Sequence, residues 1–187
     1  MLSSLALITA LVGQRPFGTI DQELRRDGRF KDTLAVLHRT GFDLQTGSTS
    51  GKGYTLFAAR DDVYAKLPKE ARLAILTNDG LGSAIVANHM LAGKYGMMSF
   101  MNGLAPAGQP LKHTVKTLAD TTFEIVSTEK GLLIGKIRIL RDMPASNGNI
   151  LQIDGLIPYE IPKPKGQGFE RVIPAELIKW GLGRYRG

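Results

Sequence analysis

The chain of 187 residues has no cysteine. Disulfides, thiolate metal sites, iron–sulfur clusters and cysteine nucleophiles are excluded together. Histidine is scarce, at positions 38, 89 and 113, and none stands in a nucleophile setting. The motifs G-x-S-x-G and H-E-x-x-H are missing, and the glycines from Gly47 to Gly53 lack the order of a phosphate loop. Asp61 and Asp62 form a carboxylate pair in sequence only, because adjacent helix positions diverge by about 100° and do not converge on one ion. These absences argue against an enzyme, a metal site and a bound cofactor. Aromatic residues make up 7 % of the chain, with one tryptophan, which leaves little for stacking bases or sugars. Nucleic acid is not expected as a partner, because the basic excess sits in the C-terminal tail and not on the body that would stack bases.

No apolar run is long. The longest opens the chain, Met1 to Gly13, which is uncharged and shorter than the ~20 residues of a membrane-spanning helix. Three readings stay open for residues 1–16: an export signal without its basic start, an anchor that dips into a membrane or partner, or a helix on the protein's own core. The 43 % hydrophobic and 22 % charged content is that of a soluble globular protein. One domain over residues 17–162 accounts for the length.

Charge is the uneven property. Of the net +7, the last 25 residues hold more than half. Lys163, Lys165, Arg171, Lys179, Arg184 and Arg186 stand there against Glu170 and Glu176. Residues 163–187 read as a basic linker and a short amphipathic tail, with Ile173, Leu177 and Trp180 on one helix face. Trp180, Arg184, Tyr185 and Arg186 are residue types common at hot spots and membrane interfaces. They are candidate contacts for a protein partner, a membrane complex or an anionic membrane surface. A helix that folds back on its own domain is the competing expectation.

Within the domain the pattern changes from helical to extended. Phe30, Leu34 and Leu37 recur at helical spacing, and Gly41 stops that helix. Tyr54 to Ala58 is a strand. Asp61 opens a helix and caps its first turn, followed by helices over 70–77 and 82–88. After His89 strands are expected over 89–93 and 95–101. A meander follows over 112–118, 122–127, 132–134 and 136–140, and a final strand over 149–153 after an Asn147-Gly148 turn.

Three stretches resemble the fasciclin domain. Tyr54 to Pro68 (YTLFAARDDVYAKLP) is similar to the family's T-V-F-A-P-T-D-x-A-F-x-x-L-P. Asn88 to Lys94 (NHMLAGK) is similar to Y-H-V-V-x-G-K, and Ser146 to Pro158 (SNGNILQIDGLIP) to N-G-x-I-x-x-I-D-x-V-L-x-P. The resemblance runs from about Thr19 to Ile161. It implies an α+β wedge with β-sandwich-like sheets and a cluster of short α-helices. It also implies an extracytoplasmic, non-enzymatic adhesion or protein-binding module, here in a single-domain bacterial form. In that pattern Asp61, His89, Asn147, Gly148 and Asp154 are structural, while Asn88, His89 and Met90 are candidate contact residues. Asn88 stands where the family has tyrosine, so the integrin binding linked to that tyrosine is not carried over.

The expected function is docking on a protein partner at or near a membrane, as an accessory subunit of a membrane complex. A secreted adhesion or matrix module with a cleaved N-terminus is the alternative.

Overall fold

The computed structural model describes residues 16–42, 51–103, 109–162 and 175–186. Residues 1–15 and the linker over 163–174, on which the readings of the N-terminal segment and the basic linker rest, lie outside the described residues.

Helices come first because the apolar spacing there is helical. α1 (Ile20–Asp27) starts with Thr19 and Gln22 in a reciprocal capping box and buries Ile20 and Leu24. α2 (Lys31–Arg39) buries Val36 and Leu37 and ends at Thr40 and Gly41, whose φ of +69° is the left-handed stop expected of it. β1 (Tyr54–Ala59) has five consecutive buried residues, as a central strand covered on both faces requires. α3 (Asp61–Tyr64), α4 (Lys69–Thr77) and α5 (Asp79–Asn88) follow and pack on α2. Thr33 donates to the Ala59 carbonyl at 2.7 Å, and Arg72 holds Asp32, so α2 is fastened to both β1 and α4.

The second half is sheet. β2 (Met90–Ala92), β3 (Leu111–Lys116), β4 (Thr122–Thr128), β5 (Gly131–Ile134), β6 (Ile137–Ala145) and β7 (Gly148–Ile153) join β1 in one seven-stranded sheet. Its order is β2-β1-β7-β6-β5-β4-β3. All pairings are antiparallel except β1 with β7. The expected meander is present, with Asp120 at φ +63° in its first turn. The segment 95–101 is not a strand: α6 (Met98–Met101) forms there, and Phe100 at 3 % exposure plugs into the core.

The α+β class holds, and the seven strands form one continuous sheet folded so that its halves face each other, with Phe57 of β1 meeting Phe123 of β4 edge-on at 5.5 Å. β8 (Tyr159–Pro162) and β9 (Gly183–Arg186) form a separate parallel pair, joined by α7 (Ala175–Lys179). Leu177 and Leu182 are buried in the same core as the sheet, and Trp180 is half-buried against it. The tail from Ala175 therefore folds back onto its own domain.

Two local expectations need correction. Asp61 does not cap its own helix. Its carboxylate accepts from the Asp32 amide at 2.9 Å and so caps α2, while its own N–H donates to the Arg29 carbonyl. One residue thereby ties the β1–α3 junction to the start of α2. The Asn147-Gly148 turn does not use positive φ: neither residue adopts it. Gly148 is required for a different reason, since a Cβ there would lie 2.2 Å from the Tyr54 carbonyl oxygen in the parallel β1–β7 ladder. Asn147 instead accepts from the Ile20 amide at 2.8 Å, closing α1 onto the sheet.

Candidate functional site

Asn88 and His89 end α5 and reach across to the chain leaving β7. The Asn88 amide donates to the carbonyls of Ile157 (2.9 Å) and Pro158 (3.2 Å), and its oxygen accepts from Thr121, which is paired with Thr117. His89 Nδ1–H donates to the Ile85 carbonyl at 2.8 Å, and Nε2 accepts from the Ile157 amide at 2.9 Å. The two bonds fix the neutral tautomer. Burial lowers the proton affinity of His89 to a pKa of about 4, against a smaller opposing effect of the Ile85 carbonyl. Both nitrogens are committed to main chain, so the ring has none free to act as a base or ligand.

This corrects the expected contact role: Asn88, His89 and Met90 are 0 %, 4 % and 0 % exposed, Asn88 and His89 forming an internal clamp on Ile157–Pro158 and Met90 lying in the core. Asn88 in place of the family's tyrosine is thereby explained. It supplies the two donors that the Ile157 and Pro158 carbonyls need.

Asp154 organises its strand end as expected, though it is half-buried rather than buried. Its carboxylate accepts from both the amide and the guanidinium of Arg138, each at 2.7 Å. Those bonds hold its pKa below the usual carboxylate range against the opposing effect of burial. Of the tail candidates, Arg184 is exposed and bonds Glu160 at 2.6 Å, within the β8–β9 pair. Tyr185 and Arg186 continue β9, and their side chains lie outside the described residues. Asn88, His89 and Met90 are internal while Arg184 is exposed, so these four candidates do not share a surface.

The surface feature that sequence reading passed over is the turn from Gly93 to Met101. Its main chain is held at four points by buried or half-buried polar groups. Thr55 Oγ1 donates to the Gly93 carbonyl (2.8 Å) and accepts from the Tyr95 amide (2.7 Å). Asn149 donates to the Tyr95 carbonyl (2.9 Å), and Asp142 accepts from the Met97 amide (2.8 Å). Asn149 and Asp142 are also bonded to each other. On this fixed turn Tyr95, Met98 and Met101 are 41 %, 60 % and 46 % exposed. The signal in the sequence is the run Tyr95-Gly96-Met97-Met98, which lies within the stretch 95–101 expected to be a strand.

Among the described residues no group of histidine, aspartate and glutamate is placed to hold a metal ion. No helix among them is long and apolar enough to cross a membrane.

Comparison with known proteins agrees with the architecture. A solved FAS1 domain pair from the insect cell adhesion molecule fasciclin I superposes with a TM-score of 0.61 at 21 % identity, covering 75 % of this chain and 51 % of that one. At that identity the likeness is one of fold, and the chain spans about half of its neighbour. No curated protein matches the chain. The model of the fasciclin domain matches residues 28–158, from the end of α1 to the clamped Pro158, and the chain belongs to the fasciclin family.

Proposed function

We propose that this fasciclin domain is a non-enzymatic protein-binding module of the adhesion class, whose contact surface is the Tyr95–Met101 turn. The observation that carries the reading is the pairing of exposure with rigidity. Three large apolar side chains project from a backbone fixed by Thr55, Asn149 and Asp142. Aromatic and methionine side chains on preorganised backbone are what protein interfaces use, because little conformational entropy is lost on docking. A structural neighbour that is a cell adhesion molecule supports the same class. Within this reading the module works outside the cytoplasm, on a protein partner at or near a membrane. Its own tail serves mainly to complete the domain, since Leu177 and Leu182 are core residues.

The test is adhesion of the immobilised protein to cells of its source, comparing wild type with Met98→Asp/Met101→Asp. Both side chains are solvent-facing, so the variant is expected to fold with an unchanged melting temperature. Removal of two interface anchors at about 1–2 kcal/mol each lowers adhesion by at least tenfold. Unchanged adhesion would show that the turn is not the contact surface.

A further inference from the structure

Beside this turn the two ends of the large sheet border one cleft. The sheet terminates in β2 on one side and β3 on the other. The chain leaving β3 returns to β2 and α5, with Leu118 N–H donating to Met90 (2.9 Å) and Ala119 N–H to Ala87 (3.1 Å). Between the two ends lies a cleft of about 360 Å³. Its walls include Leu91 from β2, Tyr95 and Phe100 from the turn, and His113, Val115 and Lys116 from β3. No described strand pairs with the outer side of β3.

Along β3 the residues alternate. Lys112, Thr114 and Lys116 are exposed, while Leu111, His113 and Val115 are half-buried. His113 packs edge-on to Phe100 at 5.8 Å, yet its Nε2 is buried with no hydrogen-bond partner. A buried polar atom left unpaired costs free energy, and a ligand that pairs it recovers that cost.

We propose that β3 and this cleft receive an extended segment of a partner protein, one in which acidic residues alternate with tyrosines. This rests on the protein-binding reading and specifies the partner. The unpaired outer side of β3 supplies main-chain hydrogen bonds, as in strand addition to a sheet edge. The cleft is at the small end of ligand-pocket sizes, and its walls combine the apolar Leu91, Phe100 and Val115 with the polar Ser99 and Thr114, which suits one aromatic ring bearing a hydroxyl. That hydroxyl would satisfy His113 Nε2. Lys112, away from the cleft, and Lys116, at its rim, meet carboxylates of the incoming strand. Both lysines are exposed and paired only with surface partners, Glu124 and Asp120, and such pairs exchange readily. Lysines on an edge strand normally discourage strand addition, and here they restrict it to acidic segments.

The experiment uses the full chain and a fluorescein-labelled octapeptide of alternating glutamate and tyrosine, read by anisotropy and by amide exchange of Leu111–Lys116. Expected are saturable binding and at least tenfold slower exchange at β3. The glutamate–phenylalanine peptide binds about tenfold more weakly, a gap that closes in His113→Phe. Lys112→Glu/Lys116→Glu transfers the preference to a lysine–tyrosine peptide, and retained far-ultraviolet circular dichroism shows that the variant is folded. Absence of binding, binding without protection of β3, or a preference unmoved by charge reversal would each overturn the proposal. So would capture by phosphatidylserine vesicles without β3 protection. If peptide binding fails while Met98→Asp/Met101→Asp still abolishes adhesion, only this inference falls.

Discussion

Lowering the pH from 7.5 to 5 is expected to loosen the domain through one side chain, His89. Folded, the ring is neutral with a pKa of about 4, and in the unfolded chain it returns to its ordinary 6.5. Between those values the unfolded state binds the extra proton, so stability rises with pH across this window, is complete above 6.5, and is lost as pH falls towards 4. The linkage amounts to about 2 kcal/mol at pH 5 and approaches about 3 kcal/mol near pH 4. The structural reason is specific. A proton on Nε2 removes the acceptor for the Ile157 amide and introduces an uncompensated charge into the core. The carboxylates with lowered pKa values, Asp21, Asp27, Asp62 and Asp154, contribute stability that is complete above about pH 5, and its loss sets in near pH 4 and falls mostly below it. Urea unfolding at a series of pH values is the assay. With a slope of about 2 kcal/mol per molar, the midpoint falls by about 1 M between pH 7.5 and 5. His89→Gln retains a donor for Ile85 and an acceptor for Ile157 but does not titrate, so its midpoint is expected to stay flat from pH 7.5 to 5. An equal fall in His89→Gln would refute the assignment.

Three further outcomes follow from the geometry. Gly148→Ala forces a methyl into the Tyr54 carbonyl and is expected to cost at least about 3 kcal/mol, seen as a large drop in melting temperature. Asp61→Ala uncaps α2 and is expected to cost about 1 kcal/mol in urea unfolding, with faster exchange at the Asp32 amide. Asp142→Ala strands the Met97 amide, at about 1–3 kcal/mol of local stability. It is expected to raise exchange across 95–97 and weaken adhesion without altering any exposed side chain.

The helix–strand order and the meander were legible because period and turn chemistry agree locally. Phe30, Leu34, Leu37 and Gly41 mark α2 without tertiary help, and the strands from Leu111 to Ile153 follow their turns. What escaped depends on long-range geometry. Asp61 looked like the cap of α3 because capping is usually local, and only the fold brings the Asp32 amide to it across 29 positions. Gly148 looked like a turn residue, and its real neighbour is Tyr54 in a ladder joining distant segments. Tyr95 to Met101 reads as an apolar strand, but Thr55, Asp142 and Asn149 bend it into a turn and expose Met98. Conversely, Trp180 and Leu177 looked unexplained outside the family pattern because the hydrophobic surface they cover belongs to the body of the domain.

Methionine oxidation offers the most direct measure of where the module makes contact. In the free protein Met98 and Met101 are open to peroxide, while Met90 and Met143 are buried and resist it, which gives an internal reference. Oxidation is then compared between the free protein and the protein adhered to cells, with mass spectrometry of each methionine and hydroxyl-radical labelling of Trp180 and Arg184. Strong protection of Met98 and Met101 on adhesion, with the tail unchanged, is the predicted result. Protection of Trp180 and Arg184 while Met98 and Met101 oxidise as in the free protein would contradict it.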